Sequence, residues 1–442
     1  MTIRCVALAA ACLLGAPLAR AGVPPSPAAG QGTTAAASAL SLSQAVALAL
    51  QHSPDLVAAE AQRRVGVGEV GTARAQFGPN LYTGTGAIYT YGFPQVPGGN
   101  TPSIVNLSYM QTVFNASSRG ALRAAEARLA GQDAGIEQVR REVIAATASA
   151  YLELATVGQA IAARQSAADR AAQIVAITEA RVRAGRELPA ETIRAQLEAA
   201  QVRQSLVQLQ GRKGIVEERL RTLIGSSESQ PLVVETTALP EPPPASVDAL
   251  VARAVEASPA LRQAEQERQA RQAALGGAKG ASLPSVDVVG QYGLFGRFNN
   301  YDQFFQRFQR NNVNVGVEVQ VPIFSAQTSA AAALAASQLA EAEAAVAQAR
   351  QALITNVRDR AQDVTASTAA LDVARLQASL ATETARETTA RAQAGLANQR
   401  DAARAQLKAG ETHVAQLDAA LAADQARLAL WVLTGQIDQL AH

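Results

Sequence analysis

The chain has 442 residues, of which 48% are hydrophobic, only 4% aromatic and 17% charged, and its formal net charge is +2. So balanced a charge argues against a nucleic-acid-binding protein, which needs a basic surface to neutralise phosphates. The two cysteines, Cys5 and Cys12, and three scattered histidines have none of the spacings of a zinc site, a cysteine nucleophile or another metal centre. We therefore expect no metal and no cofactor.

Residues 1–21 have the pattern of a secretory signal. Arg4 precedes a short apolar run, and the small residues ending at Ala21 provide a cleavage site before Gly22. The apolar run is too short to span a bilayer as a helix. Lipidation at Cys12 is the weaker alternative, because cleavage there would leave almost no apolar run. Removal of this segment leaves a formally neutral chain without cysteine.

The rest of the chain is an internal duplication. Ser53-Pro54 recurs as Ser258-Pro259 at an offset of 258 − 53 = 205, and the tetrapeptide Arg194–Leu197 recurs as Arg404–Leu407 at an offset of 404 − 194 = 210. A five-residue insertion between about Gly296 and Val313 accounts for the change of offset. Proline-containing motifs and a tetrapeptide that recur in one order indicate a repeat architecture rather than chance matches between alanines.

These patterns divide the chain into a signal peptide, an extended segment rich in Pro, Gly, Ser and Thr, two structural repeats and a stiff Pro-rich linker between them. The boundaries that we predict are 1–21 for the signal, 22–40 for the extended segment, 41–230 for the first repeat, 231–245 for the linker and 246–442 for the second repeat.

Each repeat is predicted to contain a helix, two strands, a very long helix, a turn and a return helix. Ser41 and Gln44 form a capping box, and Ser53-Pro54 restarts the helix as N-cap and first residue. Pro79 ends it, since proline lacks the amide hydrogen. Apolar positions then recur every three or four residues over 116–182, which indicates a helix of about 60–65 residues, roughly 90–100 Å long.

Between the helices the hydrophobic period changes to two. Over 313–321 every odd position is valine and every even position is Asn, Gly, Glu or Gln. Strands of about ten residues with one apolar face, next to most of the aromatics of the chain, are typical of outer-membrane barrels. A soluble four-stranded sheet with one buried face is the alternative. Four strands are predicted, at 81–91, 104–113, 285–294 and 313–321.

Four strands cannot close a barrel, and lipid does not tolerate an open sheet edge, so several chains must contribute strands. Two chains would give eight strands and three chains would give twelve, and closure alone does not choose between them. The fold class is therefore mainly α with membrane β: an internally duplicated chain with very long helices and four strands that contribute to a β-barrel.

At this point the chain resembles the TolC-like outer-membrane efflux proteins, over about Leu40 to Gly435. The resemblance implies a homotrimer with a 12-stranded barrel in the outer-membrane lipid and a helical tunnel through the periplasm. It also implies two partners, a periplasmic adaptor and an inner-membrane pump whose type (RND, ABC or MFS) the sequence does not identify. The residues that carry the resemblance are Leu42-x-x-Ala45-x-x-x-Ala49, Ser53-Pro54-x-Leu56, Gly78-Pro79-Asn80-Leu81, Val321-Pro322-Ile323-Phe324, Arg181-x-x-Ala184-Gly185 and Arg391-x-x-Ala394-Gly395-Leu396.

The resemblance further implies a gate at the two helix turns, where acidic residues narrow the pore and ion pairs hold it shut. Glu191 and Asp401, each six residues after the glycine of its turn, match acidic gate positions. Arg404 replaces a second acidic residue, and Arg400 lies beside Asp401. The alternative is a solvated helix end with ordinary surface ion pairs. The residues expected to dock the adaptor are Ala184, Gly185, Ala394, Gly395 and Leu396.

The function that this implies is a passive exit duct for small molecules such as drugs, with the exit channel of a type I protein secretion system as the alternative. An enzyme is not expected, because no nucleophile elbow, P-loop or metalloprotease motif is present in the sequence. A periplasmic adaptor or a structural coiled coil is the more distant alternative, since neither needs a two-fold repeat with amphipathic strands.

Overall fold

The computed structural model describes residues 39–86, 103–226, 232–235, 239–240, 246–295, 309 and 311–441. The predicted signal with its cleavage site at Ala21 and Gly22, the lipidation alternative at Cys12 and most of the predicted insertion lie outside the described residues. Within the described part, no helix is both long enough and apolar enough to cross a membrane.

The two halves of the chain contain the same elements in the same order. The first half contains α1 (Leu42–His52), α2 (Pro54–Ala75), β1 (Asn80–Gly86), β2 (Ser103–Phe114), α3 (Ala116–Arg183) and α4 (Pro189–Ile224). The second half contains α5 (Val247–Ala257), α6 (Pro259–Gly280), β3 (Ser285–Phe295), β4 (Asn311–Gln320), α7 (Ala326–Gln393) and α8 (Gln399–Thr434), and a 3₁₀ helix, Gln436–Ala441, follows.

Corresponding helices of the two halves have identical lengths. α1 and α5 have 11 residues, α2 and α6 have 22, α3 and α7 have 68, and α4 and α8 have 36. The long helices exceed the predicted 60–65 residues and span about 100 Å at ~1.5 Å per residue. They begin immediately after the strands, at caps that the periodicity could not reveal: the side chains of Asn115 and Ser325 accept from the amides of Ser118 and Thr328.

The predicted starts of the short helices are confirmed. Ser41 and Gln44 form the reciprocal capping box at the start of α1. The hydroxyl of Ser53 accepts from the amide of Leu56, with Pro54 as the first residue of α2, and Ser258 repeats this cap before α6. Because these caps satisfy amides that a helix leaves unpaired, they fix where the two halves begin.

The four strands form one antiparallel sheet in the order β1-β2-β3-β4. β1 ends at Gly86, before the predicted end at 91, and residues 87–102 lie outside the described residues. β4 begins at Asn311, two residues earlier than predicted, because Asn311 pairs with Leu294 of β3. It ends at Gln320 rather than 321, because the next residues, Val321 and Pro322, lead into a turn and Pro322 has no amide to pair.

The sheet has one apolar and one polar face. Val288 lies opposite Val317, and Tyr292 lies opposite Val313, so the apolar side chains of neighbouring strands share a face. On the other face Asp287 lies opposite Glu318, and the hydroxyl of Thr112 donates to Asp287 Oδ1 at 2.6 Å. The predicted alternation is thus regular in β4, whereas in β2 Gln111 lies opposite Val288 on the apolar face and Met110 lies opposite Val289 on the polar face.

The main core lies near the middle of α3, where α1, α8 and the end of α4 meet it. Tyr151 is fully buried there, and its hydroxyl contacts the carbonyl oxygens of Leu40 at 2.7 Å and Glu235 at 2.9 Å. Leu40 also forms a parallel bridge with Val234. The segment before α1 and the linker between the halves are therefore held by one side chain of the long helix.

A buried arginine joins three distant parts of the chain in the same region. Arg141 of α3 donates to Glu137 Oε1 at 2.7 Å, to the carbonyl oxygen of Ala257 at 2.8 Å and to Asp438 Oδ2 at 3.2 Å. These partners lie one turn earlier in α3, at the end of α5 and in the C-terminal 3₁₀ helix. The guanidinium makes all three of these contacts only when both halves are in place.

Near the sheet, α3 and α6 approach each other through glycines. A Cβ on Gly120 would lie 2.6 Å from the backbone nitrogen of Gly277, closer than real contacts allow. Gly135, also in α3, has no atom within 4 Å of that position. The two glycines of one helix therefore provide a matched pair of substitutions.

Gly120→Ala should lower the free energy of unfolding by about 1–3 kcal/mol, because the added methyl group forces two backbones apart. Gly135→Ala should raise it by about 0.5–1 kcal/mol, because alanine favours the helix. Thermal unfolding of the purified protein in detergent, followed by circular dichroism, measures both. Equal effects of the two changes would show that the close approach of α3 and α6 is not a constraint.

Candidate functional site: the paired helix turns

The two long helices end in the same type of turn. The amide of Arg186 donates to the carbonyl oxygen of Arg181 at 2.9 Å, and the amide of Leu396 donates to that of Arg391 at 2.8 Å. Gly185 and Gly395 have φ angles of +68° and +73°, which glycine adopts without strain. Each turn is therefore a Schellman motif, and the glycines predicted to dock a partner have a backbone role in it.

The predicted docking residues form an open surface. Nothing lies within 4 Å of the position that a Cβ would take at Gly185 or Gly395, among the described residues. Ala184 and Ala394, the last residues before the glycines, are exposed. Leu396 and Leu188 are exposed too, although the sequence analysis did not select Leu188. Two apolar side chains and bare backbone thus lie at one end of the helices.

The return helices begin differently in the two turns. In α8 the Asn398 side chain accepts from the amide of Arg400 at 3.1 Å. In α4 the N-cap is Leu188, without a side-chain bond, and Pro189 follows as the first helical residue. Proline suits this position, because its missing amide would have had no partner. Pro189 therefore provides a regular start for α4.

Glu191 and Asp401, the two predicted acidic gate residues, lie in the first turns of α4 and α8. A carboxylate at this position is stabilised by the helix dipole, typically by about 0.3–1 kcal/mol. Both residues therefore stabilise their helices locally, whatever else they do.

A carboxylate between the turns links the two halves of the chain. Glu187 Oε1 lies 2.9 Å from Arg400 Nη1 and 2.9 Å from Arg181 Nε, and its side chain is only 10% exposed. Arg181 Nη1 also donates to Asn398 Oδ1 at 3.1 Å. The end of α3, the first turn and the start of α8 are thus joined by ion pairs that are largely shielded from water.

The predicted gate residues differ in how closely they approach the Glu187–Arg400 ion pair. Arg400 Nη1 lies 3.9 Å from Glu191 Oε2, and Glu191 pairs with Arg194. Asp401 is exposed and approaches only Arg400 Nε, at 3.9 Å. Arg404 lies one turn further into α8, 3.9 Å from Glu198 of α4. Arg400 and Glu191 are therefore brought together, Asp401 faces outward from the cluster, and Arg404 belongs to a separate pair.

Glu187 was not among the predicted gate residues, although the sequence places it two residues after Gly185. Its role depends on Arg400, which is 213 residues away. A charged residue within a short turn between two long helices is the one local signal for it. The gate role of all these residues remains a prediction.

Glu187→Gln should loosen both turns, because it leaves two arginines without their shielded carboxylate. We expect the free energy of local opening to fall by about 1.5–3 kcal/mol, the usual contribution of a hydrogen bond to a charged group. Hydrogen exchange of residues 184–189 and 394–399 measures this. Glu383→Gln, which removes the exposed pair with Arg386, is the control and should leave the turns unchanged. Equal exchange in all three proteins would contradict the link.

Comparisons with known proteins agree with this architecture. The sequence model of the outer membrane efflux protein family matches residues 45–226 and 250–436, one segment in each half. Protein CyaE of Bordetella pertussis is 28% identical over 199 residues, which are 44% of this chain and 42% of CyaE. The chain thus spans less than half the length of this curated relative.

Two solved structures have the same fold. The CmeC outer membrane channel of Campylobacter jejuni matches with a TM-score of 0.74 and 16% identity, over 89% of this chain and 85% of CmeC. The outer membrane protein VceC of Vibrio cholerae matches with a TM-score of 0.71 and 22% identity, over 89% of this chain and 96% of VceC. The predicted fold class and resemblance are confirmed: the chain belongs to the outer membrane efflux protein family.

Proposed function

We propose that this protein is the outer-membrane channel subunit of a tripartite export system, a passive and non-enzymatic exit duct for small molecules such as drugs. The observation that carries the proposal is a four-stranded sheet with one apolar and one polar face whose strands continue into helices of 68 residues. A sheet with one apolar face can insert into the outer membrane. Helices about 100 Å long can extend from it into the periplasm.

The uncovered apolar face of the sheet supports membrane insertion. Val313, Val315, Val317 and Val319 of β4 are all exposed in the chain. Among the described strands, β1 and β4 lie at the two edges of the sheet, so each has one side on which its backbone groups face no described strand. In lipid such groups must be paired, which strands of further copies can do. In a homotrimer twelve strands close the barrel, and α3, α4, α7 and α8 of three chains form a tunnel of twelve helices.

Val317→Arg should prevent stable insertion, since a charge on the lipid face of a barrel costs about 2–4 kcal/mol at mid-membrane. Asn314→Arg, on the polar face of the same strand, is the matched control and should assemble normally. Heat-modifiable trimers on gels of outer-membrane fractions measure assembly. If both variants assemble alike, the assignment of the two faces is wrong.

The paired turns are the proposed periplasmic gate. The link from Glu187 to Arg400 holds the two hairpins of one chain together, and Glu187 Oε2 has no hydrogen-bond partner among the described residues. Exposed Asp401 side chains of three copies around a narrow axis would attract cations and repel anions. The open backbone at Gly185 and Gly395, with Leu396, is the proposed docking surface for the adaptor, which connects the duct to an inner-membrane pump.

Planar-bilayer recordings of the purified protein test the duct. We expect small, stable, cation-biased conductance steps, and Asp401→Asn should reduce the cation bias, because three charges are lost at the constriction. Asp55→Asn, in the first turn of α2, is the control and should not change the bias. Unchanged selectivity in Asp401→Asn would remove this residue from the gate.

If trimers of the unchanged protein show no conductance, the Glu187→Gln variant is recorded under the same conditions. Conductance in that variant would indicate a sealed gate, and its absence would contradict a channel. A monomer that never inserts would favour the adaptor alternative.

The cargo is tested in cells. The family description names efflux, which supports small molecules as the cargo. Deletion of the gene should then raise susceptibility to toxic small molecules and leave the set of secreted proteins unchanged. Loss of a secreted protein with unchanged susceptibility would favour the type I secretion alternative.

A further inference from the structure

A cleft opens where the second half of the chain passes from strand to long helix. It lies between the end of α6 and the segment that connects β4 to α7 and begins that helix, and its volume is about 310 Å³. The lining includes four hydroxyl-bearing side chains, the cation Lys279 and the apolar residues Pro322, Ile323 and Phe324. The cleft thus combines a positive charge and hydroxyl groups with exposed apolar side chains.

Larger side chains occupy the corresponding place in the first half. At the offsets of the duplication, three lining residues of the cleft are smaller than their counterparts: Ser282, Ser329 and Ala332 stand where the first half has Phe77, Arg119 and Leu122. The guanidinium carbon of Arg119 lies 4.7 Å from the ring centroid of Phe114. Phe114 is half-buried, whereas its counterpart Phe324 is 90% exposed. The second half therefore leaves open a space that larger side chains take up in the first.

Lys279 has no counter-charge, unlike its counterpart in the first half. That counterpart is Arg74, whose Nη2 lies 3.4 Å from Glu126 Oε1. The residue of the second half that corresponds to Glu126 is Ala336. Among the residues that the structure describes, the side chain of Lys279 has neither an ion pair nor a hydrogen bond. The second half has thus kept a cation at this position without its carboxylate.

Two hydroxyl groups of the cleft are also unused. Ser282 donates to the carbonyl oxygen of Lys279 at 2.7 Å, whereas the hydroxyl groups of Thr328 and Ser329 form no hydrogen bond within the described part of the chain. An ammonium group and two hydroxyl donors that line one cleft suit an anion with several oxygens, such as a phosphate diester. A long helix begins here in both halves, so the difference between the halves lies in these side chains and not in a helix dipole.

The cleft lies at the boundary between the sheet and the helices. β4 ends at Gln320 and α7 begins at Ala326. Val319 and Val321, next to the end of the strand, are exposed, and Ile323 is 97% exposed, so apolar surface is continuous from the sheet to the cleft. With the sheet in the outer membrane, as proposed above, this boundary lies at the level of the phospholipid headgroups on the periplasmic side.

We infer that this cleft binds the phosphate group of a phospholipid from the inner leaflet of the outer membrane. The inference rests on the proposed function, because it requires the sheet to lie in that membrane. Lys279 pairs with the phosphate, and the hydroxyl groups of Thr328 and Ser329 donate to its oxygens. The acyl chains extend past Ile323 and Phe324 along the apolar face of β4. A free phosphate would leave these apolar side chains uncovered, whereas a phospholipid contacts both parts of the cleft.

Native mass spectrometry of the full protein, delipidated in detergent and titrated with phosphatidylglycerol, tests the inference. Lys279→Ala should weaken binding of the first lipid per chain about tenfold or more, the usual effect of losing a hydrogen bond to a charged group. Lys279 is exposed, so its replacement should not disturb the fold. Ala332→Leu, which introduces the leucine of the first half, should weaken binding to a similar extent without a change of charge. Arg74→Ala is the matched control and should leave lipid binding unchanged.

Two further titrations identify the ligand. Dioleoylglycerol, which has acyl chains but no phosphate, should bind equally to the unchanged protein and to Lys279→Ala. Inorganic phosphate alone, followed by calorimetry at millimolar concentrations, should give no heat that depends on Lys279. Such heat would assign the cleft to a free anion and overturn the lipid. Equal phosphatidylglycerol binding by all variants, or equal weakening by Arg74→Ala, would overturn the cleft itself.

Conductance separates this inference from the proposed function. Protein that conducts ions but binds phosphatidylglycerol equally well in all variants would overturn the lipid site and leave the duct intact. Binding that depends on Lys279, in a protein that never conducts, would support the lipid site and reject the duct. A protein that neither conducts nor binds the lipid would reject both.

Discussion

The backbone groups along the two edges of the sheet are the constraint on which the rest of the structure depends. β1 and β4 are edge strands, and β4 carries its valines on the same side as the apolar residues of β3. In lipid neither unpaired edges nor a polar outer face is stable, so a single chain has no stable membrane form. In the proposed duct the strands therefore couple membrane insertion to assembly.

Because of the duplication, the same helices and strands occur in the same order in both halves, and the halves differ where their sequences have diverged. Helices of 68 residues cannot bury their full length against the few helices of one chain, so apolar surface remains on α2, α4 and α7. Small residues such as Gly120 and Gly277 let the contacts within the chain become very close.

Local features of the fold could be predicted from the sequence, because short-range physics determines them. Ser53-Pro54 starts a helix through its own cap, Gly185 ends one through its positive φ, and the valines of β4 alternate with the pleat. The bond network of Glu187 could not be predicted, since its partner Arg400 is brought near only by the packing of whole hairpins. The start of α3 at Ala116 agrees with the predicted range, whereas the capping roles of Asn115 and Ser325 were not predicted, because the apolar pattern of a helix does not identify its cap.

Through Arg141, the packing in the middle of α3 depends on the 3₁₀ helix at the end of the described chain. The buried guanidinium of Arg141 pairs with Asp438, which lies 297 residues later in the chain. Without the second half, Arg141 keeps Glu137 of α3 but lacks Ala257 and Asp438, the other two of these three partners, so the middle of α3 completes this set of hydrogen bonds only after the end of the described chain has packed on it.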